Sequence, residues 1–243
     1  MPDPLRACAL GPTSYRDGLA LQAGLVEARA SGRTGDWLLF PDHPPVLTRG
    51  RGAGEDSLRV PRETLERMGI EVFEVPRGGD ITWHGPGQLV GYVICDLTAR
   101  GRDLHRFLRD LEAALISALD GFGIASATVP GRTGVWVGEA KIASIGVAVR
   151  RWVSFHGFAL NVAPDLGFFD LIHPCGLRGI RMTSLERELG AGAPSLAVAR
   201  QNVAAAVAAR LGHDGLEWLA PEAVRNAAGP AGEAASAATP HAA

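Results

Sequence analysis

Three strand-like runs follow one another with almost nothing between them. "GVWVG" (134–138), "KIASIGVAVRR" (141–151) and "VSFHGFALNV" (153–162) are apolar and rich in β-branched residues. At most a couple of residues separate each from the next. Parallel neighbours need a long crossover, so connections this short require antiparallel pairing, and the last two runs read as a hairpin. A doubly wound parallel sheet is therefore the wrong frame for this chain.

Helical patterns surround that core. "YRDGLALQAGLVEARASG" (15–32) sets Leu19, Leu21, Leu25 and Val26 among polar residues. "DLHRFLRDLEAALISALDGFG" (103–123) marks one face with Phe107, Leu111, Leu115 and Leu119. Asp103 is suited to its N-cap and Gly121 or Gly123 to its end. "SLAVARQNVAAAVAARLG" (195–212) predicts a final helix. "DWLLF" (36–40), "PVLTRG" (45–50), "IEVFEV" (70–75) and "QLVGYVICDL" (88–97) predict further strands. Helices packed on a mixed, mainly antiparallel sheet make an α+β fold. One domain is expected over residues 1–226, followed by a disordered Ala-rich tail, "AAGPAGEAASAATPHAA" (227–243).

Bulk charge narrows the function. The formal net charge is −2, which lacks the basic footprint of a nucleic-acid binder. No apolar run reaches the ~20 residues of a membrane helix, and "MPDPLRACALGP" lacks a secretory h-region. Cys8, Cys95 and Cys175 form neither a disulfide framework nor a CxxC pair. The expected location is a reducing cytoplasm. No His/Cys/Asp set has zinc-like spacing along the chain, so no metal is expected.

Chemistry concentrates in a few places. "PRGGDITWHGPGQ" (76–88) reads as a long glycine-rich loop holding Arg77, Thr82, His84 and Gln88; without a following GK[ST] it is a binding loop rather than a phosphate loop. Cys175 sits in "HPCGLRG" (173–179), an irregular stretch that favours access, whereas Cys8 and Cys95 read as buried small hydrophobes. Lys141 is the sole lysine among 24 lysines and arginines. A lysine can both stabilise a thiolate and exchange a proton; an arginine can only do the first. Two readings of Lys141 stand side by side: a residue of chance at a solvated strand start, or the partner of a reactive thiol. His156 reads as a core histidine in a strand, and His173, two residues before Cys175, as a weaker candidate base.

Taken together, "RGGDITWHGPGQLVGY", "GRTGVWVGEAKIASIGV", "FHGFALNV" and "HPCGLRGIRMTSL" resemble the signature blocks of the lipoyl(octanoyl) transferases, in the biotin and lipoate protein ligase superfamily. The resemblance covers roughly residues 10–212 in order. It implies that superfamily's catalytic-domain fold, a nucleophilic Cys175 that carries the acyl group as a thioester, and Lys141 lowering its pKa. It implies a substrate-binding loop of Arg77, Gly78, Gly79, Asp80, Ile81, Thr82, Trp83 and His84. Further binding stretches are Ser144, Ile145 and Gly146, then Gly157, Phe158 and Ala159. Trp83 replaces a tyrosine common in the family, which is expected to alter the pocket rim. The implied donor is octanoyl-acyl carrier protein. The implied acceptors are lipoyl domains of 2-oxoacid dehydrogenase complexes and the glycine cleavage H protein, with no cofactor, nucleic acid or membrane involved. An ATP-dependent lipoate or biotin ligase and a non-catalytic carrier-binding module are the rival readings.

Overall fold

The computed structural model describes residues 3–173 and 180–229. Its first strand, β1 (Leu5–Pro12), runs parallel to β2 (Trp37–Asp42), because α1 (Tyr15–Ala30) carries the chain back between them. The chain then builds a small separate sheet. There β3 (Val46–Arg49) lies between β4 (Glu71–Glu74) and β5 (Ile81–His84), with α2 (Arg62–Arg67) in the connection. β6 (Gln88–Ile94) returns to the first sheet antiparallel to β2. After α3 (Leu104–Asp120) come β7 (Ala127–Val129), β8 (Arg132–Val137), β9 (Ala140–Arg150) and β10 (Val153–Asn161), each antiparallel to its predecessor. β10 then pairs with β6. β11 (Arg181–Met182) adds to the start of β9, α4 (Leu185–Leu189) and α5 (Leu196–Arg210) follow, and β12 (Leu216–Trp218) pairs with β1 before α6 (Pro221–Ala228). The large sheet thus runs β12-β1-β2-β6-β10-β9-β8-β7, with β11 on β9.

Period-two alternation explains the layers. On β2, Leu38 and Phe40 face one side and join Phe107, Leu111 and Leu115 of α3 and Val203 and Val207 of α5. Trp37 and Leu39 face the other side, where Leu25 and Val26 of α1 and Val224 of α6 cover them. The sheet is a filling between two helix pairs, which is why its central strands are apolar on both faces. Each fully buried Leu or Phe contributes about 1.5–3 kcal/mol. α3 begins as its sequence predicts: the Asp103 side chain accepts from the Arg106 N–H at 2.9 Å, and Gly121 closes the helix.

The mixed sheet with packed helices agrees with the expected α+β class. Several expectations need correction. The stretch 76–88 is not one loop, because Ile81–His84 form β5. The helix at 195–212 is not the last; α6 follows it, and the expected boundary at 226 falls inside α6, which continues to Ala228. The tail from residue 230 onward lies outside the described residues, as does Cys175. β1, β11 and β12 give no usable sequence signal: the first is buried on both faces, and the other two are too short to show a period.

Candidate active site

A cavity of about 280 Å³ lies between the β6–β10–β9–β8 part of the large sheet and β5 with its approach, residues 77–80. Lys141 enters it through a fault in the sheet. In a regular strand Lys141 and Ser144, three residues apart, would face opposite sides. The β8–β9 pairing instead shifts register: Val135 pairs with Ala143, but Trp136 pairs with Lys141. Ile142 is the extra residue of this β-bulge, and Ile142 and Ala143 both turn into the core. Lys141 is thereby brought to the cavity side, with Ser144 and Gly146. Its side chain is 1 % exposed, with Nζ 5.6 Å from the centre of the Trp136 ring.

Two glycines make room. Gly134 has φ +127°, and a Cβ there would lie 2.5 Å from Lys141 Cε and 2.6 Å from the Ala143 carbonyl oxygen. Its N–H donates to the buried Glu112 Oε1 at 2.8 Å, which fixes the strand behind the lysine. Gly146 admits the 77–80 segment: a Cβ there would meet the Gly78 carbonyl at 2.8 Å and Arg77 Cδ at 3.1 Å. The Gly78 N–H donates to the Val147 carbonyl at 2.9 Å and pins that segment to β9. The Arg77 guanidinium donates to the Thr48 carbonyl at 2.6 Å and to Thr48 Oγ1 at 2.9 Å, so this cation is held across the small sheet.

A chain of directed hydrogen bonds sets the state of His84. Asn161 Nδ2 donates to the Thr183 carbonyl at 3.0 Å, which can only accept. Asn161 Oδ1 is then free to accept from Gln88 Nε2 at 3.0 Å, which turns Gln88 Oε1 toward His84 Nδ1 at 2.8 Å. His84 therefore carries its proton on Nδ1 and leaves Nε2 as an acceptor. Burial pushes its pKa down to about 3 despite the opposing bond from Gln88, so the ring is neutral. His156 is likewise held at about 3, by burial first and the Arg77 charge second. It lines the cavity 2 % exposed, in a left-handed conformation (φ +57°), with its N–H donating to Gln22 Oε1 at 2.7 Å. Nearby, the His43 Nδ1–H donates to the Thr13 carbonyl at 2.7 Å, which leaves Nε2 to accept from the Tyr92 hydroxyl at 2.6 Å. The neutral rings of His84 and His156 thus line the cavity together with the fixed charge of Arg77.

The fold brings Arg77, Gly79, Asp80, Ile81, Thr82 and His84 to one cavity with Lys141. Ser144, Ile145 and Gly146 from β9 and Gly157, Phe158 and Ala159 from β10 line the same space. Gly78 bonds to β9 without lining it. Trp83 also departs from expectation: it is fully buried, stacks on Phe168 with ring centres 4.9 Å apart, and belongs to the small sheet's core rather than to a pocket rim. Alternation along β5 is the reason, since Thr82 and His84 take one face and Trp83 the other. His173 lies outside this cavity, with its N–H on the Ser57 carbonyl. Tyr15, Tyr92 and Trp136 line it and were not singled out in the sequence; they look like ordinary core aromatics there. Lys141 is a buried group, not a solvated one.

Comparison with known proteins agrees with the sequence blocks. The family model of the lipoyl protein ligase A/B catalytic domain matches residues 14–209. An octanoyltransferase of Geobacter sulfurreducens is 50% identical over 196 residues, 81% of this chain and 80% of that protein. One from Rubrobacter xylanophilus is 51% identical over 195 residues, 79% of this chain and 87% of that protein. Among solved structures, a lipoate-protein ligase A bound with ATP superposes with a TM-score of 0.69 at 18% identity, over 92% of each chain. A bipartite lipoate protein ligase from Thermoplasma acidophilum gives 0.66 at 16% identity, over 92% of this chain and 90% of that one. At such identity these structures speak for the fold alone. The match across the whole domain, with relatives half identical to it, means that the chain belongs to the lipoyl protein ligase A/B catalytic-domain family, among its octanoyltransferases.

Proposed function

We propose that this protein transfers an octanoyl group from octanoyl-acyl carrier protein to a lysine of a lipoyl domain, through a thioester on Cys175. The observation that carries the reading is the buried Lys141, turned into the cavity by the β-bulge, in a chain half identical to octanoyltransferases. β11 supports the pairing with Cys175, since Met182 lies opposite Lys141 and the Thr183 N–H donates to the Lys141 carbonyl at 2.9 Å. The chain thus re-enters the described fold beside Lys141 shortly after Cys175.

In the first half-reaction Lys141 takes the Cys175 thiol proton. The thiolate attacks the octanoyl thioester carbonyl, the carrier's sulfur leaves, and Lys141 returns the proton to it. In the second, the acceptor amine attacks the acyl-enzyme and Lys141 takes the proton that amine sheds. An amide forms, and the Cys175 thiolate leaves and regains a proton from Lys141, which restores the starting thiol. A thioester supplies the acyl group already activated, so no ATP enters. With a pKa near 3, His84 is too weak a base to compete for these protons at neutral pH. Its Nε2 orients an N–H or O–H of the substrate by accepting a hydrogen bond. Ile145 and Phe158 offer apolar surface to the chain, at about 0.8 kcal/mol per methylene buried.

The test is the intact mass of the protein after mixing with octanoyl-acyl carrier protein without ATP. One octanoyl adduct is expected, absent in Cys175→Ala and retained in Cys95→Ala. An adduct that survives Cys175→Ala overturns the Cys175 thioester, and transfer that requires ATP and free acid favours the ligase reading.

A further inference from the structure

Away from the cavity, three potential metal donors meet where the central strands end. β2 and β6 are antiparallel with Trp37 opposite Ile94, so the next residues outward, Asp36 and Cys95, come together. His213 arrives from the end of α5. There Gly212 (φ +69°) closes a Schellman turn, its N–H on the Ala209 carbonyl at 3.1 Å and the His213 N–H on the Ala208 carbonyl at 3.0 Å. One donor atom from each of Asp36, Cys95 and His213 lies within 4.8 Å of the others. Cys95 Sγ is 3.0 Å from Asp36 Oδ2, and His213 Nε2 is 3.6 Å from the same oxygen. Tetrahedral zinc, with bonds of about 2.0–2.3 Å, separates its ligand atoms by roughly 3.3–3.6 Å.

Each donor is already oriented by a second partner. His213 Nδ1–H donates to the Asp3 carbonyl at 2.9 Å, which fixes the tautomer and leaves Nε2 a lone pair. That Nε2 is buried without a hydrogen bond, on a side chain only 9% exposed. Asp36 Oδ1 accepts from Arg29 Nε at 2.6 Å and from the Asp96 N–H at 3.1 Å, which turns Oδ2 toward the thiol and the imidazole. Two guanidiniums flank the donors: Arg29 holds Asp36 Oδ1 and also pairs with Asp96, and Arg100 lies beside Cys95 and donates to the Leu211 carbonyl.

We propose that Asp36, Cys95 and His213 bind one divalent cation of the zinc class, tying β2, β6 and the end of α5 together outside the active site. On binding, Cys95 gives its proton to solvent and bonds as thiolate; water completes a tetrahedron. A thiolate, an imidazole and a carboxylate suit zinc or cobalt better than magnesium or calcium. The residues come from three distant segments, which is why local spacing along the chain predicts no metal.

The full-length protein carrying Cys175→Ser, to remove the other reactive thiol, is titrated with Co(II) and followed by its thiolate-to-cobalt and d–d absorption. One cobalt per chain with a thiolate band is expected, displaced by Zn(II). Cys95→Ser should remove the band, and His213→Ala should weaken binding at least tenfold. Zn(II) should raise the unfolding temperature of the parent and not that of His213→Ala. Gly212→Ala, which alters no donor, should also weaken binding by disturbing the turn. Absence of stoichiometric binding, or binding unchanged in Cys95→Ser or His213→Ala, overturns the site and leaves the three side chains as a packing contact only.

Discussion

Gly134→Ala puts a methyl group where Lys141 passes. The new Cβ would sit 2.5 Å from Lys141 Cε and 2.6 Å from the Ala143 carbonyl oxygen, at a φ of +127° that L-residues rarely adopt. The backbone conformation costs about 1–3 kcal/mol, and overpacking against a fixed carbonyl typically adds another 1–3 kcal/mol. A loss of about 2–6 kcal/mol leaves a domain from the middle of the usual stability range of about 5–15 kcal/mol folded. The lysine tip is the movable party, so relief comes from displacing its amine, and transfer should fall at least tenfold at temperatures where the variant is folded. Urea midpoints and single-turnover octanoyl transfer measure the two effects separately. The decisive comparison is a cycle with Lys141→Ala. If the glycine acts by giving the lysine clearance, Gly134→Ala should remove no further activity from Lys141→Ala. It should also cost less stability there, because only the carbonyl clash and the φ remain. Near-normal transfer by Gly134→Ala, or fully additive losses in the cycle, would refute the reasoning.

Lys141→Arg should fail in transfer almost as badly as Lys141→Ala, because a guanidinium stays protonated; near-normal transfer at neutral pH would remove the proton-shuttle role. Acid should destabilise the fold. His84 and His156 have native pKa values near 3 against an unfolded value of about 6.5, so the unfolded chain binds protons first as pH falls. Their stabilisation is full above about pH 6.5 and is lost on the way down toward 3, at about 2 kcal/mol each between pH 7 and 5. Urea midpoints across that range should show the slope, and His84→Gln should flatten it. Gln88→Glu places a carboxylate against His84 Nδ1 and an acceptor against Asn161 Oδ1. It should raise the His84 pKa, cut transfer several-fold and move the acid limb of the pH–rate profile upward; an unchanged profile means that the relay does not set the state of His84.

The sequence reveals those parts of the fold that depend on one element at a time. The amphipathic α3, its Asp103 cap and the β9–β10 hairpin are legible because periodicity and short connections act locally. The residues of the cavity are legible as sets, but not their aim. Lys141 looks like a solvated strand start because nothing in "GEAKIASIGV" marks Ile142 as the extra residue of a bulge; that depends on the β8 register. Trp83 reads as a rim residue only while "ITWH" reads as loop, because a loop carries no face alternation and β5 does. Gln88 and Asn161 acquire a role only when pairing of β6 with β10 sets them side by side.

The cavity's two walls differ in stiffness. One is a continuous hydrogen-bonded sheet, β6–β10–β9–β8, whose strand spacing is fixed near 4.8 Å by its ladders. The other is the small β4–β3–β5 sheet, which among the described residues has no ladder to the first and leans on it through the Gly78–Val147 bond and the seating of Arg77 against Gly146. A ladder resists stretching, whereas side-chain packing yields by tenths of an ångström. If the cavity holds the acyl chain as proposed, the gauge of that slot resides in the compliant wall, and the lysine in the rigid one. Substitutions in the small sheet's core can retune which chain lengths fit while leaving the proton-transfer geometry untouched, so specificity and chemistry can drift independently.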